Sequence, residues 1–285
     1  NRHPVHRILY GVPVRSLMFK SARQSKSAMS VRLSAHFLPS LIAGDELPGA
    51  TAVVIDLLRA STTICHALAA GAIEVIPCLE VDEAREAAAK ISAGRAVLGG
   101  EREGVRIEGF DLGNSPEEYT PESVGGKSLV FTTTNGTRAM LECRRAKRVL
   151  IGSFVNISAL CKKLTFEHPI HLICAGTKSK ITREDVLLAG AIADRLLSVG
   201  SASESDLNDE ARIARDAWRE ALRGPDVQTL GMVGALARTL RESQGGRNLI
   251  ALGLERDIDA AAQIDKIRLV PELDTKSWRI TAALP

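Results

Sequence analysis

The chain has 285 residues, of which 45% are apolar and 25% charged, the balance of a globular protein long enough for one large core or two small ones. Its formal charge of +3 is carried by the first 28 residues, which hold six Lys and Arg and no acid; beyond them 31 basic residues face 34 acidic ones. That balance excludes a general nucleic-acid-binding surface, and no apolar run reaches the roughly 18–20 residues that cross a bilayer, so neither nucleic acid nor a membrane is expected as a partner and a cytoplasmic location is.

Residues 1–29 read as a disordered arm or as a stretch upstream of the true start, since Met18 and Met29 both precede the first strand-like pattern. Residues 30–285 read as the working domain. Within it, short β-rich apolar runs at 52–55, 73–76, 96–98, 129–131, 149–151 and 170–173 have the form of buried strands. Between them helical patterns cover 62–70, 82–91, 136–145 and 157–164, opened by the cap-type residues Asp82, Asn135 and Asn156. After Lys180 helices dominate. Thr182 and Asp185 have capping-box spacing and open a helix to Val199; further helices are expected over 204–222, 227–242 and 247–252, and a last strand near 267–270. The alternation predicts an α/β protein: three layers, a mainly parallel or mixed sheet with helices on both faces, as one unit or two intimately packed lobes.

The five cysteines (Cys65, Cys78, Cys143, Cys161 and Cys174) show no C-x-x-C spacing, so a disulfide framework and a cysteine zinc site are not expected. Cys174 opens a segment shaped like a thiol-phosphatase loop, but Lys180 stands where that loop needs an arginine to clamp phosphate. His168 and His171 flank Pro169 at a strand entry and read as structural. Asp257 and Asp259 superficially match an aspartyl-phosphate motif, yet they run into alanines and read as a helix turn.

In an open α/β sheet, sites form where strands end and helices present unpaired N–H groups. Asp56, Arg59, Ser61, Thr62 and Thr63 follow the first predicted strand. Glu101 and Arg102 follow the third, Thr132, Thr133, Thr134, Asn135, Gly136 and Thr137 the fourth, and Gly176, Thr177 and Lys178 the strand ending at Cys174. A parallel sheet would bring these to one edge. Asp56 there can bind Mg²⁺, attack phosphorus or cap a helix. Arg59 and the hydroxyls suit an anion, or a cap and a surface pair. Glu101 and Arg102 fit a site or a solvated ion pair; Glu184 and Asp185 fit metal binding or the acid preference of a helix start.

The stretches VVIDLLRASTT (53–63), GGEREGVRIEGFDLGNSPEEY (99–119), VFTTTNGT (130–137), VLIGSFVN (149–156), ICAGTKSKITREDVLLAG (173–190) and DIDAAAQIDKIRLVPEL (257–273) resemble the 2-phosphosulfolactate phosphatase family, in order and across about 33–273. The resemblance implies an α/β, Mg²⁺-dependent phosphatase, forming a homodimer, that converts 2-phospho-3-sulfolactate to 3-sulfolactate and phosphate on the way to coenzyme M. It makes 30–285 a phosphatase domain. On that footing Asp56 and Glu101, with Glu184 or Asp185, are expected to hold Mg²⁺, and Arg59 and Arg102 to act on the phosphate and the second anionic group. Asn114, Ser115, the 132–137 segment, Gly176 and Thr177 are expected around the substrate with Ser61, Thr62 and Thr63. The other reading is a non-catalytic module binding a small phosphorylated or sulfonated metabolite.

Overall fold

The structure is a computed structural model that describes residues 33–223 and 225–283; the arm expected at 1–29 lies outside the described residues. The first half alternates: β1 (Leu33–His36), β2 (Thr51–Ile55), α1 (Ala60–Ala69), β3 (Glu74–Cys78), α2 (Val81–Ala89), β4 (Ala96–Arg102), β5 (Val105–Arg106), α3 (Pro121–Val124), β6 (Ser128–Thr132), α4 (Gly136–Glu142), β7 (Arg148–Gly152), α5 (Ile157–Leu164) and β8 (Ile170–Cys174). Five helices follow: α6 (Arg183–Ser198), α7 (Asp209–Ala221), α8 (Pro225–Arg241), α9 (Gln244–Ala251) and α10 (Arg256–Ala261). The hairpin β9 (Val270–Asp274) and β10 (Arg279–Ala283) completes the ten strands of the described residues, which form one mixed sheet in the order β1-β8-β2-β7-β9-β10-β3-β6-β4-β5.

Side chains of β2 and β7 alternate between two cores, as strands covered on both faces must. Val53, Ile55 and Leu150 join α5, α6 and α7 on one face; Ala52, Val54, Val149 and Ile151 join α1 and α4 on the other. The second core also takes in Val75, Leu129, Phe131 and Ile280, so α1 packs across the middle of the sheet, against β7, β9, β10 and β3.

The sheet departs from the single parallel array that would align every strand end. β1, β8, β2 and β7 run parallel, and so do β3, β6 and β4, but the β9–β10 hairpin between the sets pairs antiparallel on both sides. Three antiparallel steps leave the two sets oppositely directed. Six strand steps separate β2 from β4, and at roughly 20–25° of twist per step the second set is turned by about 120–150°, which swings its carboxyl ends back toward those of the first. Arg148 of β7 holds this seam with a forked bond to Glu272 of β9, both N···O distances being 2.8 Å.

On the helical face, α6 and α7 approach at Gly190, where a β-carbon would lie 2.0 Å from the Ala214 carbonyl oxygen. Gly190→Ala must force these backbones apart. It is expected to destabilise the protein by about 1–3 kcal/mol, read as a lower denaturation midpoint in urea.

Candidate active site

Asp56 directly follows β2 and lines a cleft of about 510 Å³. Its backbone N–H donates to Ser61 Oγ at 2.9 Å, and Ser61 N–H returns a bond to the Asp56 carbonyl at 2.8 Å. Thr62 Oγ1 donates to the Leu57 carbonyl and Thr63 Oγ1 to the Asn114 carbonyl, each at 2.8 Å. These three hydroxyls are fully buried and spent on protein partners, so the structure sets them behind the cleft wall, where they fix the turn that presents Asp56 and Arg59. Arg59 itself stands at the cap of α1 with no capping side chain.

Glu101 and Arg102 end β4 and face the same cleft. Among the described residues they do not pair with each other. Glu101 accepts from Thr134 N–H at 2.9 Å and from Gly104 N–H at 2.6 Å. Arg102 donates to the Leu79 and Glu101 carbonyls at 2.8 Å and to Thr132 Oγ1 at 3.0 Å, which ties the ends of β4 and β6 together. Of the 132–137 segment, Thr134 and Asn135 line the cleft, while Thr132, Thr133 and Thr137 are buried. Gly136 lies against Asp56: a β-carbon there would stand 2.9 Å from Asp56 Oδ2, so only glycine lets α4 begin this close to the carboxylate.

Asn114, Thr177 and Lys178 complete the lining from the expected set. Asn114 Oδ1 and Thr134 Oγ1 are buried oxygens with no protein partner. Gly176 is in the left-handed region (φ 63°) and donates to Asp185 Oδ2 at 3.0 Å. The Asp185 carboxylate also accepts from Leu57 N–H and Thr182 Oγ1, so it spans the ends of β2 and β8 and is not part of the cleft lining. Glu184 is likewise set back: Oε1 accepts from Gly245 N–H at 3.1 Å, and Oε2 is buried without a partner.

Two features were outside the reach of the sequence. Asp257, in the first turn of α10, accepts from Arg59 Nη1 at 2.7 Å in a fully buried ion pair and from Ser115 Oγ; Arg59 Nη2 donates to the Gly104 carbonyl. The far wall is α9, through Gly245, Asn248, Leu249 and Leu252. The helix turn expected at Asp257 is present, but its aspartate serves Arg59 over a separation of 198 residues, which no spacing rule links. Cys174 is buried, and burial pushes its thiol pKa well above the usual value, against any role as a thiolate.

The cleft is electrostatically unbalanced. Burial, followed by the charge of Glu101, raises the Asp56 pKa to about 7, with Glu184 adding to the effect and Arg59 opposing it. Burial and the charges of Glu184 and Asp56 push Asp185 well up, and burial raises Glu184. Arg59 is engaged with Asp257, and the exposed Lys178 ammonium sits 3.4 Å from Glu103. Such a pocket favours an added cation.

An α/β sheet whose strand ends gather paired carboxylates, arginines and unpartnered oxygens in one cleft defines an enzyme for anionic substrates. A family model described as 2-phosphosulpholactate phosphatase matches residues 36–276, and the chain belongs to that family, which makes it a phosphoric monoester hydrolase. It is similar to a probable 2-phosphosulfolactate phosphatase of Symbiobacterium thermophilum, 40% identical over 228 residues, 80% of this chain and 92% of that protein. Proteins of the same description match from Clostridium beijerinckii (40% over 231 residues, 81% and 90%) and from a Synechococcus species (37% over 244 residues, 85% and 96%).

Because the folded Asp56 pKa lies above the ordinary 3.8, its protonated form stabilises the metal-free protein. That contribution is complete below about pH 4 and is lost as pH rises through about 7. Thermal midpoints should therefore fall from pH 5 to pH 8, and Asp56→Asn should flatten the slope. Asp257→Asn, by leaving Arg59 buried and uncompensated, should cost about 3–5 kcal/mol in equilibrium unfolding.

Proposed function

We propose that this protein hydrolyses 2-phospho-3-sulfolactate, or a closely related phosphorylated acid, to 3-sulfolactate and phosphate in a Mg²⁺-dependent reaction. The observation that carries the reading is the convergence of Asp56 and Glu101 on one cleft with Arg59, Arg102 and Lys178, in a chain whose relatives bear that enzyme's name. The donor set suits the ion. Mg²⁺ takes oxygen ligands and retains waters, so two carboxylates suffice, and the two orphaned oxygens of Asn114 and Thr134 can hydrogen-bond its waters or the substrate. Asp56 and Glu101 would hold Mg²⁺, with Glu184 acting on them through its charge from behind the wall. Bound there, Mg²⁺ neutralises charge on the phosphoryl oxygens.

The chain's own groups do the rest. Arg59 spends two of its N–H donors on Asp257 and Gly104 and offers the remainder of its five to an anion. Arg102 is held rigid by three carbonyl and hydroxyl acceptors, so it meets the phosphoryl group pre-oriented, which is where electrostatic catalysis gains most. Lys178, an exposed residue of the lining, would meet the second anionic group, the sulfonate. Leu249 and Leu252 supply apolar lining to the same cleft. Within the same proposal the protein works in the cytoplasm as a homodimer, a point that light scattering in solution checks; among the described residues no helix is long and apolar enough to cross a membrane.

Phosphate release from synthetic 2-phosphosulfolactate tests the reading against simple binding. Turnover should require added Mg²⁺ and cease with a chelator. Asp56→Asn and Glu101→Gln should each lower it by about 10²-fold or more with an unchanged circular dichroism spectrum, whereas near-normal turnover in either variant would remove the metal assignment. Acid-quenching with labelled substrate separates water attack from an aspartyl-phosphate on Asp56.

A further inference from the structure

Outside the cleft, one group of three ligand-type side chains converges among the described residues: His36, Glu46 and His171. His36 ends β1, His171 lies in β8, and Glu46 belongs to the loop between β1 and β2. The sheet itself makes the histidine pair. β1 runs beside β8 with Ser34 opposite His171 and His36 opposite Ile173, so the two histidines share a sheet face one diagonal apart. Both are buried. His36 Nε2 lies 3.0 Å from His171 Nδ1 and 3.8 Å from Glu46 Oε2. Ligands about 2.0–2.1 Å from a tetrahedral zinc ion stand roughly 3.3 Å from one another, and the two measured separations bracket that value.

A proton shared between the rings accounts for one of these contacts and leaves the carboxylate facing neutral imidazoles. Burial lowers the pKa of both rings, to about 4 for His171, so they offer lone pairs at neutral pH. Glu46 also accepts from Ala43 N–H at 3.2 Å, which holds its carboxylate toward the pair.

We propose that His36, His171 and Glu46 bind one divalent transition-metal ion of the zinc class, separate from the Mg²⁺ of the cleft, which fastens the segment after β1 to the edge of the sheet. Two imidazoles and a carboxylate suit such an ion better than Mg²⁺, which prefers oxygen. The carboxylate side is open to solvent, with the Glu46 side chain 41% exposed, so water completes the shell. The ion backs the cleft through one further contact: Leu38, two residues beyond His36, lies against Gly176, where a β-carbon would meet Leu38 Cδ2 at 2.5 Å, and Gly176 leads directly to Thr177 and Lys178. The site stands whether or not the protein is a phosphatase.

The test is titration of the chelator-stripped full chain with Co²⁺ in excess Mg²⁺. One equivalent should bind with a tetrahedral visible spectrum lacking thiolate-to-cobalt bands, and Zn²⁺ should displace it and raise the melting temperature. His171→Gln and Glu46→Gln should each weaken uptake by at least about tenfold, the loss that even an outer-shell partner brings, whereas Asp56→Asn should leave it intact. Glu46 is at the surface, so its variant reports even if the buried one fails to fold. No uptake, or uptake undiminished by Glu46→Gln or by a folded His171→Gln, overturns the proposal.

Discussion

Four carboxylates gathered around one turn set the terms for the rest of this structure. Asp56, Glu101, Glu184 and Asp185 are all buried; besides burial, the charges of Glu101 and Glu184 raise the Asp56 pKa, and those of Glu184 and Asp56 raise that of Asp185. Carboxylates so placed either hold protons or require a cation. The fold distributes the burden unequally. Asp185 receives three donors and becomes a strut between β2 and β8; Glu184 receives the Gly245 N–H, in the first turn of α9, on one oxygen; Asp56 and Glu101 are left at the cleft. What separates the structural acids from the reactive ones is their place: Asp56 and Glu101 line the cleft, and Glu184 and Asp185 do not.

The arginines follow the same logic. Arg59 would be a costly buried charge without Asp257, and the pair costs far more to break than it gains in forming. It links the first βα turn to a helix near residue 257 and, through Ser115, to the long loop after β4. Arg102 needs no acid, because peptide carbonyls and Thr132 satisfy it. One arginine is held by charge and the other by dipoles, so they differ in how much positive field remains for a ligand.

Much of the fold was legible because burial on two faces writes itself into composition: β2, β6, β7 and β8 appear as apolar runs, α5 is bounded by Ile157 and Leu164 as expected, and α6 opens at Thr182. The strand expected near 267–270 runs instead over Val270–Asp274, continuing through Pro271, and β10, whose Ile280 stands between Arg279 and Thr281, is too short an apolar pattern to mark a strand. In the site, Asp56, Glu101, Arg102, Thr134, Asn135 and Thr177 are legible as polar groups at strand ends, and Asn114 through the family resemblance; all of them line the cleft. Ser61, Thr62 and Thr63 carry the same letters as a phosphate cradle, but hydroxyls near free carbonyls satisfy the backbone first. Partnerships across the sheet, such as Arg59 with Asp257 or His36 with His171, depend on three-dimensional neighbours and leave no local mark.

The antiparallel hairpin between the two parallel sets has a temporal consequence. Residues 270–283 are the bridge across which β7 and β3 are connected, yet they leave the ribosome after both of those strands and every other described strand. Each half can assemble beforehand, but Asp56 and Glu101 belong to different halves and have no reason to meet until that bridge is laid. A nascent chain therefore carries its acidic groups apart and inert, and acquires a cation pocket only once that hairpin has emerged.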